Sequence, residues 1–369
     1  MVRTMAIIAG ALALCGGSPG QPSDDVLVGI NYFAGWWAPL PNKWHDAEGR
    51  DWRERFPERV PLLGEYNTQE TMDREIVAAA EHGVDFFAIL WYYNRPGTEA
   101  EPNARFLERG VTNFLESPEN HRMRFMLEFC NHPPFEVVAD EDWAYCVKLW
   151  TEWIQHPQYL RIDGRPVFKV HGFHHFHVQN DRDPALSRKR LELLRQSVRD
   201  AGAGEILIGC GVSDHEAIPE GHPATALFDF TAVYMGVPAL EQRQDDYPYG
   251  ILIEHARTSW NVHRDDALPH MPYVPAGWSP RPWPDPRPYF AFPTREEWRA
   301  ALEGVKDALA SSPALGLPGR KAFTIYAWNE FGEGGIVAPT RGDGMMKLEQ
   351  IEAVFGVSET DSESPPPPG

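Results

Sequence analysis

Short apolar runs alternate along the chain with segments in which apolar side chains recur at helical spacing. The runs are rich in β-branched and aromatic residues, which is typical of buried strands, whereas the intervening spacing is typical of amphipathic helices. The pattern predicts eight strands, at Val26–Phe33, Val84–Trp91, Arg124–Phe129, Pro166–His171, Ile206–Gly211, Phe230–Met235, Pro272–Ala276 and Phe323–Trp328.

Two of the intervening helices carry start signals. Asn67–Glu70 and Thr294–Glu297 each have the spacing of a capping box, and a third helix is predicted from Met346 to Phe355. Strand and helix thus alternate eight times, which predicts an α/β chain folded as a single-domain (β/α)8 TIM barrel over residues 25–356. An open doubly wound sheet gives a similar pattern, but the chain lacks the Gly-x-Gly-x-x-Gly turn typical of that fold.

The two ends of the chain differ in composition from this domain. Residues 1–22 contain Arg3, then an apolar run from Ala6 to Leu14 and then small residues, which is the pattern of a signal peptide. We therefore expect an exported protein, periplasmic or extracellular, without a membrane span. Leu12–Cys15 also resembles a lipobox, so a lipid anchor at Cys15 is an alternative. Residues 357–369, rich in Ser, Glu and Pro, predict a disordered tail.

Composition narrows the class of partner. The formal net charge of −19 would repel phosphate groups, which disfavours nucleic acid and anionic membranes. A neutral glycan is compatible with this charge, and the 13 tryptophans supply flat rings that stack on sugars.

Beyond Cys15, the cysteines Cys130, Cys146 and Cys210 are odd in number and widely spaced, so we expect buried thiols rather than disulfides. The oligomeric state is not indicated.

The strongest chemical signal is a pair of acids near the end of the chain. Glu330 and Glu333 follow the eighth predicted strand and precede Gly334 and Gly335, so both should lie on a tight turn. In a (β/α)8 barrel the carboxyl ends of the strands carry the active site. A Glu-x-x-Glu pair is more often a solvated helix face, but the glycines and the preceding Trp-Asn favour a ligand-facing turn. The pair is therefore predicted to be catalytic.

Aromatic and polar residues follow several other predicted strands. If the barrel closes, they meet the acid pair and form a cleft in which rings stack on sugars and polar groups bind hydroxyls. The predicted substrate-binding residues are Tyr32, Trp36, Trp91, Tyr92, Glu128, Asn131, His171, Trp278, Trp283, Trp328 and Asn329. The loop 38–66, with Trp44 and Trp52, is expected either to wall one side of the cleft or to have only a packing role.

The segment HGFHHFH places His171, His174, His175 and His177 close together. It lacks the His-Glu-x-x-His arrangement and has no clear carboxylate partner. We therefore expect solvated loop histidines rather than a metal site, and no cofactor is predicted.

Several of these segments, taken in order, resemble glycoside hydrolase family 99 and its family-99-like relatives. Some of these relatives occur in polysaccharide gene clusters and are described there as glycosyltransferases. The resemblance covers most of the chain. It is carried by YF and GW at 32–36, PLLGEY at 61–66, HGVDFF at 82–87 with WY at 91–92, IDGRPVF at 162–168, GW at 277–278 with RPW at 281–283, and WNE with EG at 328–334.

The resemblance implies a (β/α)8 barrel and an endo-acting α-mannosidase that needs no metal and retains anomeric configuration through a neighbouring-group route. It implies that Glu330 deprotonates the substrate 2-hydroxyl, which forms a 1,2-anhydro sugar, and that Glu333 acts as general acid and then as the base for water. Two positions depart from the family. Phe331-Gly332 stands where the mannosidases have Trp-His, and Phe129–His132 differs from their Pro-Tyr element. Both changes alter the expected subsites, so the sugar and the linkage stay open.

Two other functions are alternatives. A glycosyltransferase of surface-polysaccharide assembly would use nucleotide-sugar donors, which are cytoplasmic, and the sequence has a signal peptide pattern but no evident basic phosphate cradle. A non-catalytic glycan-binding protein would keep the aromatic cleft but would not need both glutamates. The sequence favours an exported glycoside hydrolase acting on a polysaccharide or an oligosaccharide.

Overall fold

The computed structural model describes residues 26–94, 103–283 and 285–356. Within these residues, eight parallel strands form the wall of a barrel, and helices cover its outside. The strands are β1 Leu27–Tyr32, β2 Phe86–Trp91, β3 Arg124–Phe129, β4 Arg165–Val170, β5 Leu207–Gly211, β6 Phe230–Ala232, β7 His270–Met271 with Tyr273–Pro275, and β8 Ala322–Tyr326. The predicted signal peptide with Cys15 and the predicted tail at 357–369 lie outside the described residues.

The barrel closes through β7. Pro272 divides this strand into two short segments, so His270 pairs with Thr231 of β6 while Tyr273 pairs with Thr324 of β8. β8 pairs with β1, which pairs with β2, and every pairing around the wall is parallel. The predicted (β/α)8 barrel is confirmed, although β6 is shorter than predicted because the chain leaves the sheet after Ala232.

The helices around the wall are α1 Gln69–Glu81, α2 Arg109–Glu116, α3 Asp140–Ile154, α4 Phe173–Gln179, α5 Pro184–Asp200, α6 Tyr249–His263, α7 Arg295–Ser311 and α8 Met346–Phe355. The predicted regular alternation is wrong in one part of the chain. Both α4 and α5 follow β4, whereas only the 3-10 helix Pro223–Ala226 stands between β5 and β6. The residues at 212–222 include Ser, Asp, Pro and Gly, which favour loops over a full helix.

Helix starts follow the sequence signals in one case only. At α7, the Thr294 hydroxyl accepts from the Glu297 N–H at 3.2 Å and the Glu297 carboxylate accepts from the Thr294 N–H at 2.9 Å, as predicted. At α1 the cap is Thr68, whose hydroxyl accepts from the Thr71 N–H, so the predicted Asn67–Glu70 box is wrong. The Asn67 side chain instead accepts from the Trp36 N–H and donates to the Tyr32 hydroxyl.

Apolar side chains fill the part of the barrel interior near the amino ends of the strands, and two of them are the rings of Phe86 and Phe230. Gly29 and Gly209 leave room for the rings of Phe86 and Phe230, because a Cβ atom at these glycines would lie 2.2 and 2.3 Å from the facing ring. A close-packed interior of this kind excludes water, so any charged group above it is desolvated on one side.

A buried ion pair lies in the same barrel, towards the carboxyl ends of the strands. The Lys169 ammonium donates to Glu128 Oε1 at 2.9 Å, and Asn31 Nδ2 donates to Glu128 Oε2 at 2.9 Å. All three side chains are fully buried. Burial opposes ionisation of Glu128, but Lys169 and then His171 hold its pKa below the usual value. Contrary to the prediction that it binds substrate, Glu128 forms a charged floor beneath the cleft.

The described cysteines agree with a further expectation. Cys130, Cys146 and Cys210 are buried and unpaired. Burial raises the pKa of each thiol, so these residues behave as small apolar side chains. Among the helices in the described ranges, none has the length and apolar character needed to cross a membrane.

Lys169→Met should destabilise the fold, because it leaves the Glu128 carboxylate buried without its cation. Removing one partner of a buried ion pair costs about 3–5 kcal/mol. Urea unfolding followed by circular dichroism measures the loss. The double variant Lys169→Met/Glu128→Gln should recover most of it, since no charge is then left unpaired.

Lys189→Met is the matched control. The Lys189–Asp140 pair spans 2.9 Å, but its side chains are 70% and 61% exposed. Exposed pairs contribute about 0–1 kcal/mol. Equal losses of unfolding free energy in Lys169→Met and Lys189→Met would contradict this account of the barrel interior.

Candidate active site

Glu330 and Glu333 lie on a hairpin that follows β8. The segments Asn329–Glu330 and Gly335–Ile336 pair antiparallel, and the N–H groups of Glu333 and Gly334 donate to the Glu330 carbonyl at 3.0 and 2.8 Å. Gly334 has a φ of 87°, and a Cβ atom there would lie 2.8 Å from a backbone nitrogen of the loop after β7. The acids therefore lie on a turn at the carboxyl end of the strand, and glycine is needed to form it.

A tyrosine hydroxyl donates to each carboxylate. Tyr234, which follows β6, bonds Glu330 Oε1 at 3.0 Å, and Tyr326, at the end of β8, bonds Glu333 Oε2. Gly335 permits the second contact, because a Cβ atom there would lie 2.4 Å from the Tyr326 ring. The two hydrogen bonds fix the orientation of both carboxylates relative to the barrel.

Burial and mutual repulsion disfavour charge on both acids. Glu330 is 6% exposed, and burial, followed by the charge of Glu333, raises its pKa to about 8. Burial also raises the pKa of Glu333, although the Tyr326 hydroxyl and the Arg287 guanidinium oppose this change. Two like charges on one buried turn repel strongly, so the pair holds one proton near neutral pH.

The Asn329 side chain fixes the hairpin to the end of β1. Its Oδ1 accepts from the Phe33 N–H and its Nδ2 donates to the Phe33 carbonyl, both at 2.8 Å. The Trp36 indole N–H donates to the Asn329 carbonyl at 2.7 Å. Asn329 and Trp36 are each 1% exposed. Both are predicted from the sequence to bind substrate, but in the structure they support the acid pair from behind.

A buried chain of hydrogen bonds continues from Trp36 to helix α1. The Trp36 N–H donates to Asn67 Oδ1 at 2.7 Å, and Asn67 Nδ2 donates to the Tyr32 hydroxyl at 2.9 Å. That hydroxyl donates to Glu75 Oε2 at 2.8 Å. Glu75 is 2% exposed, and burial raises its pKa to about 7. Tyr32 is fully buried and faces α1, contrary to the prediction that it contacts substrate.

Two predicted tryptophans lie in the layer between the barrel and its helices. Trp91 is fully buried and contacts the rings of Trp150 and Trp153 on α3. Trp328 is fully buried against Phe87 of β2. The strands of a parallel barrel are apolar on both faces, so their sequence does not reveal which side chains point inward. Neither tryptophan reaches the cleft.

Three predicted aromatic residues do surround the acid pair. Trp283 is half-buried above Gly332, where a Cβ atom would lie 2.4 Å from its ring. Trp278 is buried with its ring centroid 6.1 Å from that of Tyr326. Tyr92 is buried, and burial, followed by its interactions with Cys130 and Glu330, raises the pKa of its hydroxyl.

His171 joins the charged floor to the cleft. Its Nδ1 lies 2.7 Å from Glu128 Oε1, and its ring centroid lies 4.8 Å from that of Tyr234. Because an ionised carboxylate only accepts, Nδ1 carries the hydrogen. Asn131 is fully buried and bonds both backbone groups of Gly172, at 2.9 and 3.0 Å, so it shapes the chain after His171 and does not reach a substrate.

The loop 38–66 packs beside the acid turn and also reaches the cleft, so the expectation of a packing role alone is wrong. Trp44 and Trp52 are fully buried and pack on Trp36, with ring centroids 4.3 and 6.2 Å away, so these two residues have a packing role. Lys43, directly before Trp44 in the chain, places its ammonium 5.5 Å from the centroid of Trp283. The loop thus contributes one charged group to the wall of the cleft.

Sequence reasoning missed four polar residues near the acids, namely Tyr234, Tyr326, Lys43 and Arg287. Tyr326 lies two positions beyond Thr324 on β8, so strand alternation places both on one face. Tyr234 lies within a run that is predicted as a strand throughout. Lys43 and Arg287, whose charges lower the pKa of the acids, lie on long loops without a distinguishing pattern.

One group of three potential metal ligands occurs in the described part of the chain, at His263, Asp266 and His270. The two imidazole rings stack face to face, with centroids 4.0 Å apart. His263 already bonds Asp266 at 2.7 Å and the Ser213 carbonyl at 2.9 Å. The group is therefore a packed hydrogen-bond cluster. His174, His175 and His177 lie on α4, contrary to the expectation of a loop.

No family model matches the sequence, and neither does any curated protein. The fold is nevertheless shared with solved structures. A glycoside hydrolase-like protein has a TM-score of 0.57 at 16% identity, over 94% of this chain and 98% of that one. The family 99 endo-α-mannosidase from Bacteroides thetaiotaomicron has a TM-score of 0.56 at 15% identity, over 92% and 98%. An exo-β-1,4-mannosidase from Opitutaceae bacterium strain TAV5 has a TM-score of 0.50 at 13% identity, over 90% of this chain and 60% of that one. The resemblance to family 99 is confirmed at the level of the fold.

The free energy of unfolding should fall as the pH rises from about 4.5 to about 7. The pKa of Glu75 is about 7 in the fold and 4.5 in an unperturbed side chain, so in this window the native state keeps a proton that the unfolded chain releases. Each pKa unit corresponds to about 1.4 kcal/mol, which gives roughly 3 kcal/mol lost by pH 8. Glu75→Gln should remove this part of the dependence and leave the part that comes from Glu330 and Glu333, whose pKa values are also raised. Its amide oxygen still accepts from the Tyr32 hydroxyl, so the contact itself is kept. Urea unfolding at the two ends of the window measures the change.

Glu81→Gln is the control, because Glu81 is exposed at the end of the same helix. It should keep the pH dependence of the parent protein. An unaltered dependence in Glu75→Gln would show that Glu75 is not the buried acid responsible.

Proposed function

We propose that this protein is a glycoside hydrolase that cleaves a polysaccharide or an oligosaccharide, with Glu330 and Glu333 as its catalytic acids. The observation that carries the proposal is the buried turn on which both carboxylates lie, each bonded by a tyrosine hydroxyl. Glycoside hydrolysis commonly uses two carboxyl groups, one as acid and one as base or nucleophile. The fold shared with glycoside hydrolases supports the same function.

The acid pair suits this chemistry because it can hold one proton and one charge at neutral pH. The protonated carboxyl protonates the leaving glycosidic oxygen, while the ionised carboxylate accepts a proton from the attacking group. The hydroxyls of Tyr234 and Tyr326 stabilise the charged form of the neighbouring acid and so limit the rise in pKa. Both protonation states are therefore accessible within a physiological range.

The finer proposal is retention through a 1,2-anhydro sugar. Glu330 takes the 2-hydroxyl proton, O2 bonds to C1, and the bond from C1 to the leaving oxygen breaks as Glu333 protonates that oxygen. Glu333 then takes a proton from water, the water oxygen bonds to C1 as the bond from C1 to O2 breaks, and O2 recovers its proton from Glu330. The product keeps its anomeric configuration.

The order of proton affinities matters for this assignment. In the empty site burial raises the pKa of Glu330 to about 8, so the assignment requires bound substrate to move the shared proton to Glu333. The reverse assignment makes Glu330 the general acid. An aryl glycoside with a good leaving group distinguishes the two, because such a substrate tolerates loss of the acid and not loss of the base.

Two further points complete the proposal. The enzyme cleaves α-mannoside-like linkages within a chain, and it is exported through the segment at 1–22, with or without a lipid anchor at Cys15. Phe331, between the acids, packs under the turn against Trp36 and Trp44, with centroid distances of 5.1 and 5.5 Å. Phe331 is 2% exposed, so it does not itself select the sugar, which has to be identified by experiment.

Glu330→Gln and Glu333→Gln should each reduce product release by at least about 10²-fold, because each removes a group that transfers a proton in the transition state. New reducing ends are measured on a panel of α-mannans and other bacterial and algal polysaccharides. Glu349→Gln, an exposed change on α8, is the control and should keep full activity.

Release of product by the intact protein and its loss in both variants would support the hydrolase. Release that persists in both variants would contradict the acid pair. Glycan binding without release, unaffected by either change, would favour the binding-protein alternative.

Tyr234→Phe should move the alkaline limb of the pH–rate profile to higher pH, by about half to one pH unit. The Tyr234 hydroxyl lowers the pKa of Glu330, which holds the shared proton of the pair in the free enzyme. Its removal lets that pKa rise further, so the pair keeps its single proton to higher pH. The profile of kcat/KM against pH measures the shift. Tyr145→Phe, at a side chain that is exposed on α3, should leave the profile unchanged. A limb that moves to lower pH in Tyr234→Phe would contradict this electrostatic account.

A further inference from the structure

A cavity of about 550 Å³ opens beside the acid pair. One wall is formed by the end of β4 and the start of α4, and the other by the loop after β5 and the end of β6. His171 and Tyr234 line this cavity, and Tyr234 also bonds Glu330. A glycan bound at the acids can therefore extend a neighbouring sugar into the cavity.

Imidazole rings dominate the lining. His171, His174, His175 and His222 face the cavity. His132 stands beside them, with its ring centroid 5.9 Å from that of His171 and 6.4 Å from that of His175. Among the described residues that line the cavity there is no lysine or arginine. Any positive charge in the lining must therefore come from protonated imidazole.

The carboxylates on the opposite wall are engaged or exposed. His255 and His215 contact the Asp214 carboxylate at 2.5 and 2.7 Å. Burial opposes ionisation of Asp214, but these two hydrogen bonds hold its pKa below the usual value. Glu216, the other acid in the lining, is exposed to solvent. The charge of Asp214 is thus matched by two imidazoles, and the charge of Glu216 is screened by solvent.

The surroundings of the imidazoles are also short of negative charge. Burial, followed by His132, His174 and His171, lowers the pKa of His175, and only Glu136 acts in the opposite direction. Imidazoles this close repel one another once protonated, and an anion between them removes that repulsion. The cluster is thus suited to a negative ligand although the chain has a net charge of −19.

The acid beneath His171 does not change this balance. Glu128 is paired with the Lys169 ammonium at 2.9 Å, so the floor carries both signs of charge. His171 donates its Nδ1 hydrogen to Glu128, which leaves Nε2 as the ring nitrogen that can take up a proton and donate to a ligand.

We propose that this cavity binds an oxyanion carried by the glycan, either a uronate carboxylate or a sulfate ester, through His171, His174 and His175. This inference rests on the proposed hydrolase function for its link to cleavage, because it makes the cavity a subsite for an acidic sugar next to the scissile bond. The ring of Phe173 also lines the cavity and offers a face for that sugar. Only the protonated imidazole donates from both nitrogens, so affinity for the anion rises as the pH falls.

Inorganic sulfate tests the site without any assumption about catalysis. Histidine resonances of the intact protein are followed by NMR against pH. Sodium sulfate at about 20 mM should raise the titration midpoints of His171, His174 and His175 by about half to one pH unit, and sodium chloride at the same ionic strength should not. Equal effects of the two salts would overturn the proposal.

The double variant His174→Gln/His175→Gln should lose the sulfate-dependent shift of His171. His177→Gln is the matched control, since His177 lies on the same short helix but does not line the cavity. Thermal unfolding confirms that both variants are folded. A sulfate shift of His171 that survives in the double variant would overturn the proposal.

Paired polysaccharides identify the source of the oxyanion. A uronic-acid polymer is compared with its carboxyl-reduced form, and a sulfated polymer with its desulfated form. At pH 6, kcat/KM should be at least about tenfold higher on one charged polymer than on its neutral partner, which corresponds to about 1.4 kcal/mol. The double variant should lose this preference, and the pair that shows it distinguishes carboxylate from sulfate.

The outcomes separate the two proposals. Equal cleavage of the charged and neutral forms overturns the acidic subsite and leaves the hydrolase in place. A sulfate-specific shift of the histidines with no cleavage of any polymer supports the anion site and removes the hydrolase.

Discussion

The amide of Asn329 makes hydrogen bonds to both backbone groups of Phe33, a residue 296 positions away in the chain. These two bonds tie the turn that carries the acids to the end of the first strand. The Trp36 indole then fixes the carbonyl of the same asparagine. Because each of these groups is buried, breaking the contact would leave several polar atoms without partners, which is costly in an apolar surrounding. The position of the acid pair relative to the barrel depends on this contact.

Three glutamates in and around the barrel show how the nearest partner decides the behaviour of a buried acid. Lys169 holds the pKa of Glu128 below its usual value despite full burial. Glu75 has the Tyr32 hydroxyl as its hydrogen-bond donor, and burial raises its pKa to about 7. Glu330 has a tyrosine donor and a neighbouring carboxylate, and its pKa reaches about 8. A cation therefore gives a permanently charged floor, whereas hydroxyl donors leave the acids of the turn able to exchange protons.

The sequence was sufficient for the barrel and for the acid turn because both depend on local patterns. Apolar runs and helical stripes locate the strands, and the glycines after Glu333 exclude a helix. Side-chain direction could not be read in the same way. Trp91 and Trp328 stand in strands or strand ends that are apolar throughout, so nothing in the sequence distinguishes the cleft from the outer layer. Lys43 reaches the cleft only because a long loop folds back on Trp36, a contact that local pattern does not encode.

The pairing of β1 with β8 has a consequence for the order in which the molecule matures. Ile30 and Ile325 are register partners, so the first and the last strands of the wall close against each other. A nascent chain emerges from its amino end, and non-local contacts of this kind form late. Until the residues beyond Ile325 have been synthesised, Phe33 has no amide to bind and the two glutamates have no buried turn on which to share a proton. The acid turn is therefore among the last features of the fold that the growing polypeptide can assemble.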